Sequence, residues 1–383
     1  MMQICRPSGA VCSRLTLALL LPWLSGSVMP TVRGADRIIL RNLKIVTDKT
    51  VTAFDEDGVR LDGKQILGWD EIEKAKVAAD QQAAFDLMLG ELGDHLYRIR
   101  QRLSVGDYEG LLPHAEAVQA RFAERTSDTA YTVLQALMWG RLAVGQREAA
   151  LAPYLQCYDI LRRRGKPEIR LPGERRLVFD AQTALTSDIT PVWFDAAAAK
   201  AEMPKVFQVI RGMKERPEGA FIYYASLASA AGDDESAGKI LGGVRATQPP
   251  ISELRDIIAA QREILTAAMP DTAVTHLSNS IEKISSDNLP LALYWLGRHK
   301  LSANNLESQQ HGMLDLLRVS AVYGDSQPEL AGAALLLVMQ QLAESKDVRG
   351  SIALRGELLA KYSSTYAAKQ INRQSTSKPQ PDP

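Results

Sequence analysis

A short turn recurs between helical stretches of this chain, and it constrains the fold more than any other feature. Gly106-Asp107-Tyr108-Glu109-Gly110-Leu111 is echoed by Gly145-Gln146-Arg147-Glu148-Ala149-Ala150-Leu151. It returns as Gly232-Asp233-Asp234-Glu235-Ser236-Ala237 and, degraded, as Lys346-Asp347-Val348-Arg349-Gly350-Ser351-Ile352. Each copy ends one amphipathic helix and begins another with small residues facing back. Stacked helix pairs are written this way, and stacked pairs build binding surfaces more often than active sites.

The helical pattern is expected from Glu73 onward. Phe85, Leu89, Leu92, Leu96, Ile99 and Leu103 recur at three- and four-residue steps, a single apolar stripe. Tyr108 to Phe122 makes the return, and Thr126-Ser127-Asp128 caps the next helix, because short polar side chains satisfy free backbone donors there. Arg164 to Arg176 contains Gly165, Pro167, Pro172 and Gly173 and reads as a loop. Helices are expected to resume near Leu177, with Pro204 opening another, and to continue to Ile371. The tail after Gln374 is polar and Pro-rich, a disordered composition.

Residues ahead of the helices differ. Ile38-Ile39-Leu40, Leu43–Val46 and Thr50–Phe54 are β-branched or alternating, and Asp57-Gly58 and Asp62-Gly63 are tight-turn pairs. Three or four short antiparallel strands are expected, packed on the first helix through Trp69 and Ile72. The acidic Asp55-Glu56-Asp57 invites a calcium reading, but the other oxygen ligands of such a loop are missing, so a solvated hairpin tip is expected.

The first residues read as an export signal. Arg6 and Arg14 precede the apolar run Leu15–Leu24, which is too short to span a bilayer as a helix, and small residues follow. Cleavage after Gly34 or Ala35, cleavage after Ser27, and an uncut anchor are the alternatives this segment allows. The expected division is a signal peptide at 1–34, a small β segment at 35–72, helical hairpins at 73–372 and a disordered tail at 373–383. Basic and acidic residues number 45 each, and removal of Arg6, Arg14 and Arg33 leaves 42 basic residues. A mildly acidic chain has no electrostatic case for nonspecific nucleic-acid binding. Of three cysteines only Cys157 lies outside the signal, so the mature chain forms no internal disulfide, and its apolar neighbours mark it as a buried thiol.

The turns, with the small or apolar residues that follow them, resemble the tetratricopeptide family. The C-terminal stretch from Pro328-Glu329-Leu330-Ala331 through Lys346-Asp347 to Tyr362-Ser363-Ser364 and Tyr366-Ala367-Ala368 is similar to tetratricopeptide units of bacterial envelope proteins, with Ser363 where those carry Pro. The turns are unevenly spaced, 39 residues from Gly106 to Gly145 and 87 from Gly145 to Gly232. The layout also resembles exported bacterial proteins in which a small β segment precedes irregular tetratricopeptide-like helices. The resemblance implies a mainly α fold, an α-solenoid of irregular hairpins preceded by an antiparallel β ribbon. It implies no activity and carries no catalytic motif.

No chemistry stands out beside it. His95, His114, His276, His299 and His311 make no metal-ligand pair on one helix, and phosphate, dinucleotide, nucleophile-elbow and haem signatures are missing. No catalytic residue, cofactor or metal is therefore expected. Two clusters offer binding surface: Tyr97, Arg98 and Arg102 on one helix, and Trp139 and Arg141 on a helix able to stack nearby. A guanidinium fork fits the carboxylates of an extended peptide. The plainer reading, a solvated charged face with Trp139 in the core, is favoured. The Arg162-Arg163-Arg164 and Arg175-Arg176 run is expected to serve the helix terminus rather than an anionic partner.

The function expected is that of an exported, non-enzymatic scaffold, periplasmic or extracellular, whose groove binds another protein and which has no membrane span after signal removal. The alternative is a helical-toroid polysaccharide-active or carbohydrate-binding protein using Glu215, Glu218, Trp193, Tyr223, Tyr224, Tyr294 and Trp295. A third reading is self-association through open edges of the β ribbon.

Overall fold

The computed structural model describes residues 36–165, 169, 171–266 and 271–376; the segment expected to be a signal and the end of the tail lie outside them. The fold is mainly helical, with small antiparallel sheets at its N-terminal end.

Six strands form there rather than three or four: β1 (Arg37–Leu40), β2 (Ile45–Val46), β3 (Val51–Asp55), β4 (Gly58–Leu61), β5 (Gln65–Leu67) and β6 (Ile72–Lys76). They make two three-stranded sheets, ordered β2-β1-β6 and β3-β4-β5. β6 corrects the expected helical onset at Glu73. Its buried Ile72 and Ala75 pair in register with Leu40 and Ile38 of β1, so a partner some 35 residues earlier overrides the helix-compatible local sequence. Trp69, buried as expected, packs against Phe54 and Phe85 with ring centroids 6.0 and 5.0 Å away, and its indole N–H donates to the Asp55 carbonyl at 2.7 Å. This aromatic trio joins the sheets to the first helix.

That helix, α1 (Gln82–Met88), runs through a π-helical turn (Leu89–Gly93) into α2 (Asp94–Val105). There follow α3 (Tyr108–Phe122), α4 (Asp128–Ala143) and α5 (Arg147–Arg164), then α6 (Ala196–Gly212), α7 (Glu218–Ala230), α8 (Asp234–Gly243), α9 (Ile251–Thr266) and α10 (Thr272–Ser280). The last are α11 (Leu289–Leu301), α12 (Leu306–Tyr323), α13 (Pro328–Glu344), α14 (Val348–Lys361) and α15 (Tyr366–Thr376).

The recurring turn is one backbone motif used four times. Gly106, Gly145, Gly232 and Lys346 are all left-handed, with φ of 73°, 73°, 79° and 65°. After each, the next amide donates five residues back: Asp107 to Arg102, Gln146 to Arg141, Asp233 to Ala228 and Asp347 to Leu342, at 2.9, 2.7, 2.9 and 2.8 Å. This closes the carbonyls that a helix end leaves free. In three of the four the following Asp then caps the next helix, its carboxylate accepting from the amide of Gly110, Ser236 or Gly350. One residue pair thus ends a helix and starts its partner.

Three helices, α4, α7 and α11, are buried along most of their length. α4 is buried without a break from Ala130 to Gly140, α7 from Gly219 to Ser229 save Phe221, and α11 from Pro290 to Gly297. A helix that is apolar on all sides must be surrounded. α12 meets α11 closely because Gly297 and Gly312 face each other's backbone carbonyls. α7 divides its side chains between two cores, giving Tyr223 and Leu227 to one and Ile222 and Ala225 to the other.

Two helix expectations fail between α5 and α7. Residues 177–189 are not helical, and α6 begins at Ala196 with Pro204 inside it. The Ala196–Ala199 run has high helix propensity, and the Asp195 carboxylate caps it by accepting from the amides of Ala197 and Ala198, both at 3.0 Å. The irregular stretch keeps its shape because side chains from α5 and α7 satisfy its backbone. Tyr154, Tyr158 and Tyr223 donate their hydroxyls to the carbonyls of Ala184, Ala181 and Ile189, at 2.6, 2.8 and 2.7 Å. Buried Arg147 donates to Thr190 and Val192, and Glu148 accepts from the amides of Phe194 and Asp195.

Candidate functional site

The five residues expected to form a binding face are placed as follows. Arg98 is exposed, and Tyr97 is half-buried beneath the Arg41 guanidinium, 4.4 Å from its ring centre. Arg102 is paired with Asp107, the carboxylate that caps α3. Trp139 is fully buried against Tyr108, centroids 5.5 Å apart, with Arg175 over its ring at 5.0 Å. Arg141 donates to the Ala149 carbonyl at 2.9 Å and to Gln119 at 3.1 Å, and lies 3.8 Å from Glu116. Trp139 and Arg141 are therefore spent on holding α3, α4 and α5 together, which leaves Arg98 as the exposed cation of the five.

The residue types offered for a sugar site are committed too. Trp193, Tyr223, Tyr294 and Trp295 are core side chains, Glu215 pairs with Arg162, and Glu218 accepts from the amides of Arg245 and Ala246. The arginine run is similarly neutralised: Arg163 pairs with Asp159, Arg164 with Asp128 and Arg175 with Asp188. Cys157 is buried 4.0 Å from the Tyr131 carbonyl, and burial pushes its thiol far above the usual range. Such a thiol is not a nucleophile.

The acidic hairpin tip is a docked element, not a solvated one. Arg125 at the end of α3 pairs with Asp57 at 2.8 Å and with Glu56, and Arg121 pairs with Glu56 and Glu91. The Arg125 guanidinium is held above its ordinary pKa by these acids against the opposing pull of burial. Cations collect at a helix C-terminus, and here the hairpin supplies their counter-charges.

One pairing escapes a search confined to single helices. The α2–α3 turn brings the Nδ1 atoms of His95 and His114 to 3.2 Å. Burial, then His95, Arg102 and Arg98, lower the His114 pKa.

Among the described residues a cleft of about 550 Å³ crosses consecutive helices. Its apolar floor is Leu134, Ile160 and Val209, from α4, α5 and α6. Its polar lining is Glu124, Arg125, Thr126, Gln156, Asp159, Arg163 and Gln208. Asp159 organises one end: it accepts from the Lys214 amide at 2.8 Å and from Arg163, whose guanidinium also reaches the Gly212 carbonyl. Gln156 donates to the Ala123 carbonyl at 3.2 Å, fixing α5 to the end of α3.

No protein family, curated protein or solved structure matches this chain.

The cleft therefore has to be read from its own chemistry. It offers amide donors and acceptors, two carboxylates and two guanidinium groups around an apolar strip. Those groups suit the alternating backbone and side chains of an extended polypeptide, and no nucleophile–base pair lies among them. The sequence carried a partial signal for it. The Thr126-Ser127-Asp128 cap was legible, and the Ser127 hydroxyl does accept from the Ala130 amide at 3.0 Å, but the convergence of α3, α5 and α6 around that cap was not.

Proposed function

We propose that this chain is an exported, non-enzymatic scaffold of irregular tetratricopeptide-like hairpins arranged as an α-solenoid. It binds another envelope or extracellular protein by taking an extended segment of that partner into the α3–α6 cleft. The observation that carries the reading is the cleft itself, a trough with an apolar floor and a mixed polar rim, lined by successive helices. The four repeated turns support it, since they set the helix pairs whose seams such a trough follows. The apolar run at Leu15–Leu24 supports export.

The test is a photoreactive side chain at position 208, with a second at Glu357 on the exposed face of α14 as control, each exposed to an envelope extract of the protein's own source. A single cross-linked protein adduct from position 208, lost on adding Val209→Asp, is expected. Equal adducts from both positions, or an adduct that survives Val209→Asp, would sink the reading.

A further inference from the structure

We propose that the outer face of the β2-β1-β6 sheet is a docking surface for an anionic lipid bilayer. Strand register fixes which side chains share that face. Ile38 is buried and stands opposite Val46 and Ala75, so those three form the inner side. The alternate positions Arg37, Ile39, Ile45, Lys74 and Lys76 fall on the outer one. Ile39 stands opposite Ile45 on one flank and Lys74 on the other, and Arg37 stands opposite Lys76.

Three features of this face cost the fold stability and bring it nothing in return. Arg37 and Lys76 are like charges directly opposed across two strands, an arrangement that repels. Among the described residues neither they nor Lys44 and Lys74 make an ion pair, while Arg41 beside them is matched by Glu73 and Asp94. Ile45 is 51% exposed, and Leu43, at the tip of the β1–β2 hairpin, is 84% exposed. Leu43 also holds a left-handed φ of 67°, where a side chain with a Cβ is strained and Gly or Asn is usual.

The combination selects the occupant. An acidic polymer would neutralise the cations and leave Leu43 and Ile45 in water. A bilayer carrying anionic headgroups takes both, with phosphates meeting Arg37, Lys74 and Lys76 and aliphatic side chains entering the acyl boundary. No helix among the described residues is long and apolar enough to cross a membrane, so this is attachment at the surface. None of these side chains lines the α3–α6 cleft, and the two proposals stand or fall separately.

The experiment is co-sedimentation of the full chain with vesicles of phosphatidylcholine, and with vesicles in which phosphatidylglycerol replaces a third of it. Comparing variants of the same chain cancels whatever the segment before Asp36 contributes. Lys74→Glu/Lys76→Glu is expected to lower partition onto the anionic vesicles by roughly 25-fold or more, each cation being worth about fivefold. Leu43→Gly is expected to lower it by roughly tenfold or more while leaving the melting temperature equal or higher, so its effect cannot be a folding defect. Partition unchanged by either variant, equal partition onto both vesicles, or a dimer formed through this face without vesicle binding would overturn the proposal.

Discussion

His95 and His114 face each other across the α2–α3 turn with their Nδ1 atoms 3.2 Å apart, a distance that one proton can bridge and two cannot. The titration of His114 is set by its surroundings. Burial, His95, Arg102 and Arg98 all depress His114, and Asp94 alone opposes them.

Folding stability therefore depends on pH in a definite sense. His114 has a folded pKa below its unfolded value near 6.5, so the unfolded chain binds the proton first. Its contribution to stability is constant above that value and is lost as pH drops from 6.5 through the folded pKa. Urea unfolding at a series of pH values is expected to show this slope, and His114→Gln to flatten it. An unaltered pH dependence in His114→Gln would show that His114 does not supply the slope.

The four left-handed turn positions predict substitutions of opposite sign. Gly232 has open space around its Cβ position, so Gly232→Ala meets only backbone strain and is expected to cost about 1 kcal/mol. Lys346→Gly relieves the same strain and is expected to stabilise by up to about 1 kcal/mol. Thermal melts of the two variants shifting in the same direction would contradict the shared motif.

Arg125→Ala should release the acidic hairpin tip. The pairs are partly exposed, so the loss of global stability is expected to stay within about 1 kcal/mol. The local effect is larger: amide exchange at 55–58 should rise while the helices remain protected. Unaltered exchange there would show that backbone pairing alone holds the tip.

Tyr223→Phe removes a hydroxyl that donates to Ile189 and accepts from the Thr186 amide at 3.2 Å, in a fully buried setting. The expected cost is about 1–3 kcal/mol, with new protease cleavage confined to 177–194. Cleavage spread over the helices would assign Tyr223 to general packing instead.

These residues also show where the sequence could be read. The turns at Gly106, Gly145, Gly232 and Lys346 were visible because each closes within six residues, so their whole chemistry sits in one short string. The stretch from Leu177 to Ile189 reads as helical in the sequence because its backbone partners, Tyr154, Tyr158 and Tyr223, belong to other elements. β6 was missed for the same reason, its partner being β1. Arg141 looked like a free cation on a helix face, and the carbonyl that claims it, Ala149, lies beyond the next turn. The His95–His114 contact needed two helices and the angle between them. The α3–α6 cleft needed four.

The C-terminal helix touches much earlier parts of the chain. The Lys369 ammonium on α15 donates to the Ala143 carbonyl at the end of α4 at 3.2 Å, and Tyr366 stacks on Phe194 with centroids 6.0 Å apart. Helix pairs that met only their immediate neighbours would be free to fray from one end, each melting at its own temperature. A contact spanning 226 residues removes that freedom. These two contacts tie α15 to the end of α4 and to the stretch before α6, so α15 is expected to loosen together with them rather than alone.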